Sequence, residues 1–176
     1  MLAMRTFLTT TLIVVGLLIG SAYFIGNVVG IEPQDRRPGT RLAGVVTPLP
    51  DDWSVTESAQ EVHLETYPWF GIPFSVTTVL AWSGDDLYIP SIYSEPAQFP
   101  GSKFWNKVVA ANPNVRLRVG DALYELRIEN TATEADYLDG VDALAEKYEF
   151  WETQRAELQP PGERRFAILR LSPRNS

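Results

Sequence analysis

Four hydroxyls, one ammonium group and a helix start fall together between residues 91 and 103. Ser91, Tyr93, Ser94 and Ser102 lie in a loop that delivers the chain to Lys103. Ser102 is placed to cap a helix over Lys103–Ala111, and Asn112-Pro113 stops it. Unpaired backbone N–H groups and the helix dipole at such a start favour an anion, and Lys103 adds a full positive charge. The chemistry on offer is capture of a phosphate-like group. A solvated Lys103 is the ordinary alternative.

Other chemistries are thinly supplied. The chain of 176 residues has no cysteine, which excludes disulfides, thiolate metal sites and a Cys nucleophile. Its single histidine, His63, would have to serve alone in any Ser-His-Asp arrangement, and its place between Glu61 and Glu65 reads as a satisfied surface imidazole. Asp85 and Asp86 are explained by turn chemistry, and Asp136, Asp139, Asp142 and Glu146 by the wet side of a helix, so no metal centre is expected. Arg116, Arg118, Arg164 and Arg165 read as ordinary surface charge, with lipid phosphates or acidic neighbours as the other reading. A net charge of −7 argues against nucleic acid.

The elements that must hold the 91–103 corner are mostly strands. Val55–Thr66 is long enough for one, with Val62 and Leu64 on one face and Glu61, His63 and Glu65 on a polar one. Ser75–Trp82 and Leu87–Ile92 flank the turn Ser83-Gly84-Asp85-Asp86, a hairpin signal. Val115–Val119, Gly120-Asp121 and Ala122–Ile128 give a second hairpin, the cleanest in the chain. Thr133 and Asp136 stand at capping-box spacing before a helix whose apolar stripe is Tyr137, Val141, Leu144 and Tyr148, running to about Phe150. Pro160-Pro161-Gly162 precedes a last strand, Arg165–Leu171. The expected fold is α+β: a six-stranded, mostly antiparallel barrel with two helices, closed to remove exposed edges. An open α+β sheet is the alternative. Tyr67, Trp69 and Phe70 are too apolar for an exposed loop and are expected to plug a barrel end or a dimer interface.

The N-terminus is expected to be a transmembrane helix. Phe7–Ile25 is 19 almost wholly apolar or small residues, close to the roughly 20 that cross a bilayer core. A signal peptide is the rival, with Arg5 in front, Leu8–Ile19 as its apolar part and Gly20-Ser21-Ala22 as a processing site. Apolar character continuing through Val29 favours the uncleaved anchor. Arg5 and the terminal amine favour a cytoplasmic N-terminus with the domain on the extracytoplasmic side, while Arg36, Arg37 and Arg41 count the other way. The organisation read here is an anchor over 1–31, a Pro/Gly-rich tether over 32–50 with a short strand at Leu42–Val46, and one globular domain over 51–176.

The run from Trp69 to Tyr148 resembles the FMN-binding split β-barrel superfamily, which includes pyridoxamine-phosphate oxidase-like proteins and deazaflavin-dependent nitroreductases. The residues that carry it are Ser75–Trp82, Gly84–Ser91, Lys103-Phe104-Trp105-Asn106-Lys107, Ala111-Asn112-Pro113-Asn114-Val115 and the Arg116–Ile128 hairpin. Their order carries more of the likeness than any single residue. The resemblance implies a homodimer with FMN or a deazaflavin at the subunit interface, the cofactor carrying electrons and the polypeptide positioning it. It implies a phosphate at Ser91, Tyr93, Ser94, Ser102 and Lys103, Thr77 and Thr78 along the ring face, and Trp105 as a stacking or wall residue. Simple packing is the favoured reading of Trp105 from its residue type alone. The function implied is a membrane-tethered oxidoreductase acting on a small organic or quinone-like substrate; the alternative is a non-catalytic module of the same fold that binds a ligand or an envelope partner.

Overall fold

The computed structural model describes residues 2–96 and 98–174, with side chains from residue 6 onward. Met1, whose amine enters the orientation argument, lies outside the described residues, as does the side chain of Arg5. Helix α1 (Leu2–Phe24) continues into one π-helical turn, Ile25–Val29. Thr6–Val29 is long and apolar enough to cross a membrane, a test that a signal sequence also passes, and it is almost wholly exposed. The segment behind it lies along the sheet. Gly39 exchanges two backbone hydrogen bonds with Ser75 (2.9 and 3.1 Å). Glu32 pairs with Arg118 at 2.6 Å.

Eight strands and four α-helices form the described fold. Strand β1 (Val45–Val46) runs parallel to β7 (Ala122–Asn130). The other strands are β2 (Val62–Thr66), β3 (Phe74–Thr78), β4 (Ala81–Ser83), β5 (Asp86–Ile92), β6 (Asn114–Val119) and β8 (Phe166–Pro173). Their order is β3-β2-β6-β7-β8-β5-β4, antiparallel throughout. Alternation gives each strand one apolar face. Leu64, Leu117, Leu126, Ile128, Leu169 and Ile89 bring those faces into one fully buried core, against which Trp105 and Val109 of α2 (Phe104–Ala111) pack. On the opposite side, α3 (Glu134–Lys147) and α4 (Glu149–Ala156) cover a second cluster of Tyr88, Val141, Leu144, Trp151 and Ile168.

The expected α+β class and antiparallel pairing are present; the closed six-stranded barrel is not. The hydrogen-bonded path is open, and its terminal strands β3 and β4 do not pair with each other. They are consecutive in the chain, with only Val79 and Leu80 between them. Ser75–Trp82 is therefore two short strands, the first bonded to β2 and the second to β5. Two other expectations shift. Val55–Thr66 begins as a 3₁₀ turn at Ser54–Thr56, because the Thr56 hydroxyl and amide both donate to Trp53 O, and the strand starts only at Val62. Beyond α1 there are three helices rather than two, α4 starting where Tyr148 leaves helical geometry.

The bend at Val79–Leu80 exposes backbone groups that a continuous ladder would have paired. Lys147 Nζ, at the end of α3, donates to Leu80 O (2.9 Å) and to Thr56 O (2.7 Å). The Tyr148 hydroxyl accepts from Leu80 N at 3.3 Å. Because hydrogen bonds to a charged donor contribute about 1.5–3 kcal/mol, Lys147→Met is expected to cost about 2 kcal/mol. At this chain length that is a fall of roughly 4–8 °C in melting temperature. Thermal unfolding of the full chain in detergent measures it, and an unchanged midpoint would show that Lys147 does not hold the bend.

The face of β2 read as polar is also covered. Glu65 is fully buried, accepting from Leu42 N (2.6 Å) and the Tyr67 hydroxyl (2.7 Å). His63 is half-buried, hydrogen-bonded to Arg118 and 3.7 Å from Glu32. Burial, then the Arg118 charge, lowers its pKa, so it stays neutral further into the acid range.

Candidate functional site

Helix α2 starts one residue later than expected. Lys103 is its N-cap residue, in extended geometry, and Ser102 makes no capping hydrogen bond. A Lys side chain cannot accept from the first-turn amides, so it leaves them without a side-chain cap. Lys103 lines two clefts, each of about 450 Å³, within the range of small-molecule sites. One cleft brings Lys103 together with Thr77, Thr78 and Trp105. The other brings it to Tyr93, Ser94 and Ser102, with Glu95 on the same rim. Six of the other seven residues singled out from the sequence thus share a cleft with this cation.

Ser91 is the exception. It is fully buried, and its hydroxyl accepts from Asn106 Nδ2 at 2.8 Å. The same amide donates to the Tyr93 hydroxyl. Asn106, in the first turn of α2, therefore ties strand β5 to the helix, and Ser91 is consumed by that tie rather than presented to a ligand. This interior contact cannot be read from local spacing.

Burial lowers the Lys103 pKa, since the charged form loses hydration. The ammonium stands 5.6 Å from the Tyr93 ring centroid, a cation–π contact. Trp105 is 8 % exposed and belongs to the core, so packing is its main role and only its edge reaches the cleft. Thr77 Oγ1 and Asn106 Oδ1 are buried without a hydrogen-bond partner. Buried polar atoms are normally paired, so these two stand out, and of them Thr77 lines the cleft.

Two liners were outside the sequence reading. Asp35 and Arg36 form the tip of a tight turn in which Gln34 and Arg37 exchange backbone hydrogen bonds (2.8 and 3.0 Å), with Asp35 at φ +50°. The turn belongs to the segment read as tether. Glu61 also lines this cleft, so two cations, Lys103 and Arg36, and two carboxylates, Asp35 and Glu61, share its wall. A larger cavity of about 690 Å³ lies between α3, α4 and β8, against Tyr137, Phe150, Trp151 and Phe166. Its Arg164 is committed: it pairs with Glu134 (2.5 and 2.8 Å) and stacks 4.1 Å from the Tyr137 ring. The other cation of that cavity, Arg165, is exposed, whereas the smaller clefts gather six of the residues singled out from the sequence around the half-buried Lys103, and on that ground they are the better site despite their size.

No family model matches the chain, and no curated protein does. Solved structures do. A domain-swapped dimer aligns at 17 % identity over 65 % of this chain and 81 % of its own, with a TM-score of 0.50. HutZ, the heme storage protein of Vibrio cholerae, aligns at 12 % identity over 69 % and 87 %, TM-score 0.49. A FAD-binding protein from Mesorhizobium loti aligns at 19 % identity over 69 % and 84 %, TM-score 0.46. At these identities the likeness is one of fold alone.

Proposed function

We propose that the protein is a flavin-type redox protein, with FMN or a deazaflavin held at the Lys103 clefts and a small organic or quinone-like substrate beside it. The observation that supports this best is the half-buried Lys103 ammonium at the start of α2, free of any carboxylate within ion-pair distance among the described residues, beside the unpartnered Thr77 hydroxyl. In this reading Lys103 and the first amides of α2 bind a phosphate. Thr77 supplies a hydrogen bond to a polar ring edge, Thr78 lines the face, and Tyr93, Ser94 and Ser102 form the wall of the phosphate end. The cofactor supplies hydride or electron transfer, and the protein's part is to position it and to exclude water. Residues 1–31 anchor the chain, 32–50 connect and lend Asp35 and Arg36 to the cleft wall, 51–176 carry the rest of the site, the domain lies on the extracytoplasmic side, and the working unit is a homodimer. The superfamily resemblance of the 69–148 run supports both cofactor and dimer.

A second reading is a non-catalytic module of the same fold. It is favoured by the carboxylates of Asp35, Glu61 and Glu95 on the cleft rims, which oppose a multiply charged phosphate. The visible spectrum of the purified full chain, before and after adding FMN, separates the two. The redox reading expects yellow colour or quenched flavin fluorescence at stoichiometric FMN. A colourless chain that binds neither FMN nor a deazaflavin leaves the module.

A further inference from the structure

Of the three aromatic residues expected to plug a barrel end or a dimer interface, Tyr67 is half-buried against Glu65, and the other two face outward. Trp69 is 95 % exposed. It and Phe70 form the corner of a turn closed by Gly71 N donating to Pro68 O (3.1 Å), with Gly71 at φ +78°. Phe70 meets Trp69 edge-on at 5.7 Å and stacks on Phe104 at 6.3 Å. Phe70 and Phe104 are themselves more than two-fifths exposed. Leaving three large rings in water forgoes apolar burial that the fold could have taken.

Their position explains them. The turn grips the end of the apolar N-terminal helix: a Cβ placed on Gly71 would lie 3.6 Å from the Tyr23 ring, and one on Gly26 would lie 2.5 Å from Ile72 Cγ2. Only a glycine at position 26 lets Ile72 approach so closely. The three rings therefore stand at the level where Thr6–Val29 ends, the depth at which a spanning helix leaves the hydrocarbon. Aromatic rings are enriched at that depth, because an apolar body with a polar edge suits the headgroup boundary. Cations lie nearby. Arg41 Nη1 donates to Asn27 O (3.2 Å) at the helix end, and Lys103 and Lys107 flank Phe104 on α2. Such charges complement anionic headgroups.

We infer that the Trp69–Phe70 turn, with Phe104, seats in the headgroup region of the bilayer that α1 enters, as a second membrane contact that fixes the domain's tilt. The inference rests on the membrane-anchored reading of 1–31. Phe104 lies between the cleft residues Lys103 and Trp105, so seating brings the proposed site to the lipid surface and suits a substrate dissolved in the membrane.

The test uses the full chain in phosphatidylcholine–phosphatidylglycerol vesicles carrying a spin-labelled acyl chain, quencher shallow in one set and deep in another. The Trp69 signal is the difference between wild type and Trp69→Phe. Because the chain has no cysteine, Leu17→Cys takes one fluorophore in the middle of α1. Seating expects the Trp69 component to be quenched by the shallow label more than the deep one, and the α1 probe to be quenched by the deep label. A quenched α1 probe with an unquenched, water-like Trp69 overturns the seating and leaves the anchor standing. An unquenched α1 probe removes the anchor and the seating together. An unquenched Trp69 whose emission shifts to the blue as protein concentration rises assigns the patch to a second copy of the chain, and overturns the proposal.

Discussion

Glu65→Ala is expected to lower the melting temperature of the full chain by roughly 10 °C, the largest stability loss of any single polar substitution considered. Glu65 is fully buried and serves three partners at once. Leu42 N and the Tyr67 hydroxyl donate to its two oxygens, and Arg116 Nη1 lies 3.6 Å away. Removing one member of a buried charged cluster costs about 3–5 kcal/mol, because the others stay desolvated without a partner. Arg116 keeps Glu125 at 3.2 Å, so the uncompensated groups are Leu42 N and the Tyr67 hydroxyl. Burial, with the Glu65 charge second, holds the Tyr67 pKa well above that of an ordinary phenol. Glu65→Ala should therefore also bring Tyr67 ionisation down toward its usual range, read by ultraviolet absorbance in an alkaline titration. Glu65→Gln keeps an acceptor for Leu42 N and should recover part of the loss. A midpoint unchanged in the alanine variant would mean that the segment after α1 is not pinned through this carboxylate.

Glu65 also shows where local pattern stops informing. Alternation along β2 puts Glu61, His63 and Glu65 on one face, and nothing local says that a segment more than twenty residues earlier covers that face at position 65. The β6–β7 hairpin was legible because both of its signals, alternation and the Gly120-Asp121 turn, lie within the hairpin. Thr133 was legible for the same reason, its hydroxyl accepting from Asp136 N at 3.1 Å. The break at Val79–Leu80 was not, because the groups that satisfy it, Lys147 and Tyr148, come from the far end of α3. α4 was hidden because the stripe of α3 runs on to Phe150 in the sequence, while Tyr148 turns the chain between two helices. At the site, the cation at a helix start needed only a short window. Asp35 and Arg36 needed the tertiary path of the segment behind α1, and the capture of Ser91 by Asn106 needed the packing of α2 on β5.

Lys103→Glu is expected to have the largest effect on ligand binding. A hydrogen bond from a charged donor contributes about 1.5–3 kcal/mol, so losing the ammonium weakens a bound phosphate by roughly 10- to 100-fold, and the reversed charge adds repulsion. Lys103→Met separates the two, since it keeps an apolar stem of similar length and removes the charge, with its contact to the Tyr93 ring, without reversing it. The pH dependence carries the sign of the pKa shift. Burial lowers the Lys103 pKa, so its proton is lost at a lower pH than from a solvated lysine. Affinity for an anion should accordingly be full near neutrality and fall as pH rises through that lowered pKa, and Lys103→Met should be flat over the same alkaline window. Flavin fluorescence quenching against pH, for wild type and Lys103→Met, reads both. Equal affinity and equal slope in the two proteins would remove Lys103 from the site, because no other group placed there offers an uncommitted ammonium to titrate.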